Sequence, residues 1–452
     1  MPHSPVSVRT LLTLAWPLVV SRATQTVVGL GDAWMVADLG EAALAATTTG
    51  ALNTFAALIL PMGIVFMVGS FASQYFGKGD LDGARRYGFY GLGVAGIAQV
   101  IGFLSILAVP AVLSWLPYAP DVRHEMSGYL AWRLPSIGAA VLVEALASYY
   151  GGLGNTRLPM AISLGTMVLD LLGNWLLIGG HWGFPAMGVA GAALSSTLST
   201  VVAAGVFLAL FLRRPAAAPS LRVPKLYLAE FGRMLRFGLP SGLNWFFEFF
   251  AFLFFINVVV AGLGTTTLAA LMTVMQLNSV AFMPAFGLAS AGAILVGQAI
   301  GAGAKDSVPR IVRLTFAAAG TWQGLVGLCY LAFPSLLLAA FVQSGKDSAA
   351  FGATGVRMLM LSAAWQLFDA GAMVLAEALR AAGDTAFPMW TRVAIAWLIF
   401  APGSYLTVQA GGGDVASVLW VVLYLALLSG VLWLRFRSGV WRRFELTEPV
   451  VV

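Results

Sequence analysis

Twelve apolar runs follow one another along this 452-residue chain, most of them 20 residues or longer, with only short polar stretches between them. A helix needs about 20 mostly apolar residues to cross the hydrocarbon of a bilayer, and no water-soluble core hides a dozen such runs. The chain is 60% hydrophobic and 10% charged, against about 45–50% and about 25% in soluble domains. The solvent for this fold is therefore lipid. The runs lie near 10–37, 52–75, 88–115, 128–151, 158–179, 188–212, 234–261, 268–298, 311–341, 353–381, 387–409 and 415–436. Several exceed the minimum, which predicts tilt, a kink at prolines such as Pro17 and Pro240, or extension beyond the bilayer.

Charge then orients the chain. Arg9, Lys78, Arg85, Arg86, Arg157, Arg213, Arg214, Arg222, Lys225, Arg233, Arg236, Lys305, Arg310, Arg313, Arg380, Arg435, Arg437, Arg442 and Arg443 all fall on one side of a twelve-span reading; the opposite loops hold clearly only Arg123 and Lys346. Loops rich in Lys and Arg stay in the cytoplasm, so both termini are expected there, in a bacterial inner membrane. Basic residues confined to short loops do not make a nucleic-acid surface.

The chain repeats itself. ADLGEAALAA at 37–46 and AGLGTTTLAA at 261–270 are 224 residues apart. Pro61 and Pro284 correspond at 223, Gln74 and Gln298 at 224, and GNTRLPM (154–160) and GDTAFPM (383–389) at 229. Six spans per half give both halves one orientation. They are expected to be related by a pseudo-two-fold axis along the membrane normal. The expected organisation is an N-lobe over 1–212, a cytoplasmic linker over 213–233 and a C-lobe with its tail over 234–452. One cysteine, Cys329, and histidines only at 3, 124 and 181 argue against a disulfide framework, a metal cofactor or enzymatic chemistry.

Ionised groups inside a bilayer are expensive, and they usually serve function. Asp32, Glu144, Asp170, Glu248 and Asp369 fall well inside the runs, with Glu377 nearer the cytoplasmic end. Asp170 and Asn174, Asn244 and Glu248, and Trp365 and Asp369 are each four residues apart, and Gln25 and Asp32 are seven apart, so each pair shares a helix face. A carboxylate beside an amide offers oxygen ligands to a proton or a small cation. Glu144 and Glu377 read instead as partners of basic residues, and Arg22 as a counter-ion for a nearby carboxylate. The halves differ in charge: at the repeat offset Glu248 meets Gln25, and Asp32 meets Phe255 or Ile256. Gln25, Asn244, Trp365, Gln276 and Asn278 are candidates for a substrate cavity, where aromatic faces attract organic cations.

The opening LAWPLVVSRATQTVVGLGDAWMVADLGEAALAA resembles the first helix and loop of the multidrug and toxic compound extrusion (MATE) family. FGLPSGLNWFFEF, FMPAFGLASAGAILVGQAIGAG, the two repeat-end motifs and GVAGAALSS extend the likeness over nearly the whole chain. The resemblance implies an all-α fold of twelve transmembrane helices in two six-helix lobes around a central cavity. It implies export of small organic cations in exchange for Na+ or H+, with no other cofactor; a monomer surrounded by lipid could form the cavity by itself. Asp32, Glu248 and Asp369 match the family's acidic positions of helices one, seven and ten. The last two resemble the NorM-type branch, whose coupling-ion site, Na+ included, lies in the C-lobe. Three features depart from the pattern: Trp365 replaces a frequent tyrosine, Asp170 and Asn174 appear in reversed order, and Arg22 occupies a usually uncharged place. A lipid-linked precursor flippase of the same superfamily is the rival reading; it needs a basic cavity, whereas the intramembrane charge here is mostly acidic. A polytopic enzyme and a channel are more distant alternatives.

Overall fold

The computed structural model describes residues 7–115, 118–213, 225–339, 341 and 348–447. His3, Lys346 and the linker stretch 214–224, with Arg214 and Arg222, lie outside the described residues. The described chain is helical throughout. In order come α1 (Val8–Ala37), α2 (Glu41–Lys78), α3 (Leu81–Trp115), α4 (Pro120–Arg133), α5 (Ile137–Gly152), α6 (Arg157–Ile178), α7 (Gly188–Leu212) and α8 (Leu228–Phe254). The second half adds α9 (Thr265–Gly301), α10 (Val308–Ala332), α11 (Pro334–Ala339), α12 (Ser348–Ser362), α13 (Gln366–Ala382), α14 (Ala386–Ala394), α15 (Ala401–Gln409) and α16 (Asp414–Arg437). Among the described residues eleven helical stretches are long and apolar enough to span a membrane; α12 and α13, bent by 49° at their junction, make a twelfth.

The breaks do not fall at Pro17 or Pro240. α1 runs on through Pro17 and α8 through Pro240. Neighbouring groups in a bundle can absorb the missing backbone donor. Interruption occurs instead around Pro135, at Leu134–Ser136 between α4 and α5, just before Pro334, where Phe333 separates α10 from α11, and at residues 363–365 between α12 and α13. The runs expected as single helices over 128–151, 311–341 and 353–381 are thus each two pieces. Two spans also contain a wide π turn, Phe255–Val260 after α8 and Ile395–Phe400 between α14 and α15. Such turns are often found at functional sites.

The repeat-end motifs have one structural cause. Gly154 and Gly383 both take left-handed φ, at 82° and 96°. That conformation favours glycine because a Cβ would clash. It ends α5 and α13, and the following Thr156 and Thr385 immediately precede α6 and α14.

The chain forms two compact units. One gathers the chain up to Val19 with Leu243–Leu446; the other gathers Val20–Gly242 with the chain from Thr447. The divisions inside α1 and α8 are therefore one repeat apart, and each unit incorporates the front of the other half's first helix. Within the first unit, a Cβ placed on Gly287 of α9 would lie 2.7 Å from Val19 Cγ2 and 2.9 Å from Val19 N. Within the second, a Cβ on Gly63 of α2 would lie 2.5 Å from Gly242 Cα. Gly63 and Gly287 are themselves 224 residues apart. Small residues let helices approach this closely in a membrane. Gly63→Val is therefore expected to lower the yield of monodisperse protein sharply, through overpacking of about 1–3 kcal/mol or more. Gly96→Val, where no atom lies within 4 Å, should leave the size-exclusion profile unchanged.

Candidate functional site

Each unit contains a polar cluster among its spans. In the unit built on Val20–Gly242, α6 turns Asp170 and Asn174 to one face, toward Asp32 of α1. Asn174 Nδ2 donates to Asp32 Oδ1 at 2.6 Å and, more weakly, to Asp170 Oδ2 at 3.4 Å. α7 completes the cluster: Ser199 Oγ donates to Asp170 Oδ1 at 3.2 Å, and Ser195 Oγ donates to the Asp170 carbonyl at 2.7 Å. Asp170 and Asn174 are almost wholly buried, and Asp32 is half-buried. Arg133, at the end of α4, lies near enough for its charge to act on both carboxylates. With all three ionised, one negative charge is left uncompensated.

The unit built on Leu243–Leu446 reaches the same balance with different residues. The break after α12 makes Gln366 the first residue of α13 and sets Asp369 in its first turn. A carboxylate there is favoured by the helix dipole by about 0.3–1 kcal/mol. Gln323 of α10 donates from Nε2 to Asp369 Oδ2 at 2.9 Å. Glu248 of α8 forms an ion pair with Arg392 of α14. Two carboxylates again face one guanidinium. They open on a cavity of about 320 Å³ walled by Phe252, Met275, Phe282, Trp365, Phe400 and Tyr424, within the usual size range of small-molecule pockets. The two wide turns meet at its edge, where the Phe255 and Phe400 rings are 5.0 Å apart and Phe400 lies 5.2 Å from Tyr424.

The clusters share one further property. Asn174 and Gln323 are both fully buried, each gives its N–H to a carboxylate, and each keeps an amide oxygen with no partner. An unsatisfied buried acceptor costs about 1–3 kcal/mol. Here it stands next to a carboxylate, so each site presents two kinds of hard oxygen to a proton or an alkali cation.

Among the residues singled out from sequence, Asp32, Asp170 and Asn174 come together, and Glu248, Asp369, Trp365 and Asn278 line one cavity. Asn278 Oδ1 accepts from Gln366 Nε2 at 2.6 Å. Asn244 lies one turn before Glu248 with its amide oxygen buried and unpartnered. Gln25 and Gln276 are exposed, and Gln276 is not part of the cavity wall. Arg22 pairs with Glu144 through two bonds of 2.9 and 3.2 Å, and Glu377 pairs with Arg380. Sequence reasoning passes over Arg133, Ser199, Gln323 and Tyr424, which reach their sites from other helices. Only Arg133 carries a local signal, a charge just before a proline inside an apolar run. Trp365 and Tyr424 both line this cavity, and Tyr424 supplies a tyrosine hydroxyl to it, buried and unpartnered.

A buried ion pair is fragile when only one partner is removed. Arg22→Gln is expected to destabilise the protein by about 3–5 kcal/mol by stranding Glu144, read as a fall in melting temperature in detergent. Arg22→Gln/Glu144→Gln should recover most of that loss.

The MatE family model matches residues 17–176 and again 240–406. The two matches begin 223 residues apart and together cover well over half of the chain. The chain belongs to the MatE family. A probable multidrug resistance protein NorM of Mesorhizobium japonicum is 29% identical over 443 residues, covering 95% of this chain and 94% of that protein. The fold is that of a multidrug resistance MATE family transporter solved in an outward-facing conformation, with a TM-score of 0.84 at 19% identity over 97% of both chains. It also matches, with a TM-score of 0.86 at 17% identity and 97% coverage of both chains, a MOP superfamily transporter from Pyrococcus furiosus for which reverse polarity of the binding pocket suggests a different function. This MatE protein is accordingly a multi-pass all-α membrane transporter of the MATE type and not an enzyme.

Proposed function

We propose that the chain is a secondary antiporter that exports organic, mainly cationic or amphipathic compounds in exchange for Na+ or H+ by alternating access. The polarity of the Glu248–Asp369 cavity carries this reading. The fold alone does not choose the substrate, since a transporter of the same fold is described with a pocket of reverse polarity. Here aromatic rings surround two carboxylates and one arginine, a setting that attracts an organic cation and disfavours the pyrophosphate of a lipid-linked precursor. Arg22, Arg133 and Arg392 each stand beside carboxylates, which supports their role as counter-ions. The charge asymmetry of the loops supports a bacterial inner membrane location with both termini cytoplasmic, and each cluster being complete within one chain supports a monomer.

Coupling follows from the single surplus charge. Asp369, with Gln323, takes a proton or Na+; once neutralised, it no longer balances a bound organic cation. Arg392 is a tethered counter-ion that the cation must outcompete at Glu248. Two ligands that use one charge exclude each other, and this negative coupling is what exchange requires. The Asp32–Asp170–Asn174 cluster offers a second site of the same kind.

Equilibrium dialysis of purified protein with tetraphenylphosphonium, set against a neutral phosphine oxide of similar shape, tests the reading. Tetraphenylphosphonium is expected to bind, to be displaced by added Na+ or by acid, and to exceed the neutral analogue. Equal binding of the two would overturn the cation assignment.

A further inference from the structure

A second, larger cavity, about 630 Å³, lies between α10, α13 and α16, away from the carboxylates. Its floor is apolar, formed by Val312, Phe316, Phe368, Val374 and Leu375. Small residues at its edge let α13 and α16 pack closely: a Cβ on Gly371 would fall 2.5 Å from Ser429 Oγ, and both residues border the cavity. One end is strongly basic. Arg313, Arg437 and Arg442 all border the cavity, and no carboxylate does. Arg442 pairs with the exposed Asp306 at 2.7 Å, a surface pair of little strength. Arg313 and Arg437 have no acidic partner among the described residues. Arg437 lies over the Trp433 ring at 5.2 Å and Arg442 over Trp441 at 5.2 Å. Tryptophan with arginine is the pairing that marks the level of lipid headgroups.

We propose that this cleft binds an anionic phospholipid of the cytoplasmic leaflet. The headgroup phosphate sits on Arg313, Arg437 and Arg442, and one acyl chain lies along Phe316, Phe368 and Leu375. Charge complementarity selects this occupant. A zwitterionic lipid would bring a second cation to three guanidinium groups, and a transmembrane helix would leave them unneutralised. Basic pockets between spans on the cytoplasmic side hold anionic headgroups by the same logic. The site also bears on transport, because Phe368 and Gly371 lie within two residues of Asp369 on α13. A lipid in the cleft therefore packs against the turn of helix that presents Asp369 to the other cavity.

Native mass spectrometry of the delipidated, purified protein titrated with phosphatidylglycerol and with phosphatidylcholine tests this without any transport readout. Phosphatidylglycerol is expected to be retained preferentially. Arg313→Gln/Arg437→Gln should lower that retention by at least about tenfold, while Arg310→Gln/Arg443→Gln, which removes equal charge outside the cleft, should not. Phe316→Trp, which fills the floor, should reduce retention with the arginines intact. Equal retention of the two lipids, or an equal loss in the Arg310→Gln/Arg443→Gln control, would overturn the proposal. Melting temperatures of all variants separate loss of the site from loss of the fold.

Discussion

Glu248→Gln is expected to reduce export of a permanent organic cation to about the level of cells lacking the protein. Two effects combine. The substitution leaves Arg392 buried without its counter-ion, and stranding such a charge costs about 3–5 kcal/mol. It also leaves Asp369 and Arg392 to cancel, so the cavity loses the surplus negative charge that attracts a cation. The informative variant is Glu248→Gln/Arg392→Gln, which removes both partners. Asp369 then stands alone, and the cavity regains its single negative charge. Melting temperature should return most of the way to that of the parent, and tetraphenylphosphonium binding should reappear. A double variant as unstable and as unable to bind as Glu248→Gln would show that Arg392 is not the counter-ion of this site.

Asp32→Asn is expected to separate binding from coupling. Asp32 is half-buried and reaches the cluster through the 2.6 Å bond from Asn174, so an asparagine there fits the same space. Asp170, with three hydrogen-bonding partners around it, remains. The folded protein should persist with nearly the parent melting temperature. Ion-driven efflux should nevertheless fall by about 5–150-fold, the range of typical coupling energies between two ligands. Whole-cell efflux of a fluorescent cation, compared with its binding to the purified variant, checks this. Unchanged efflux in Asp32→Asn would remove the N-terminal cluster from the ion's path.

What the sequence made legible was whatever repeats along one helix or one half. The apolar runs, the 223-residue offset and the four-residue spacing of Asp170 and Asn174 are properties of single segments. The structure realises each, with the last as one face of α6. Less legible were the partners that arrive from other helices. Gln323 meets Asp369 from 46 residues away, Arg392 meets Glu248 across 144, and Ser199 meets Asp170 across 29. No periodicity within a segment announces such contacts, because packing between helices creates them. Trp365 and Asp369 keep their spacing across the break between α12 and α13: Trp365 precedes the helix whose first turn holds Asp369, its carbonyl accepts from Asp369 N at 2.8 Å, and both line the cavity. Gln25, two turns from Asp32 on α1, is exposed while Asp32 turns toward Asn174. Residue type and spacing thus pointed to the acidic centres and, at Asn174 and Arg22, to groups that balance carboxylates, but not to Gln323 or Arg133, which arrive from other helices.

Flux in proteoliposomes tests the central claim most directly. Vesicles containing the protein would be given an outwardly stored organic cation and, in separate experiments, a Na+ gradient or a pH gradient of opposite direction. The account predicts that one of these gradients drives the organic cation uphill, and that Asp369→Asn abolishes the uphill component while the protein stays folded. Cation movement that only ever runs down its own gradient, unaffected by Na+, pH or Asp369→Asn, would contradict it.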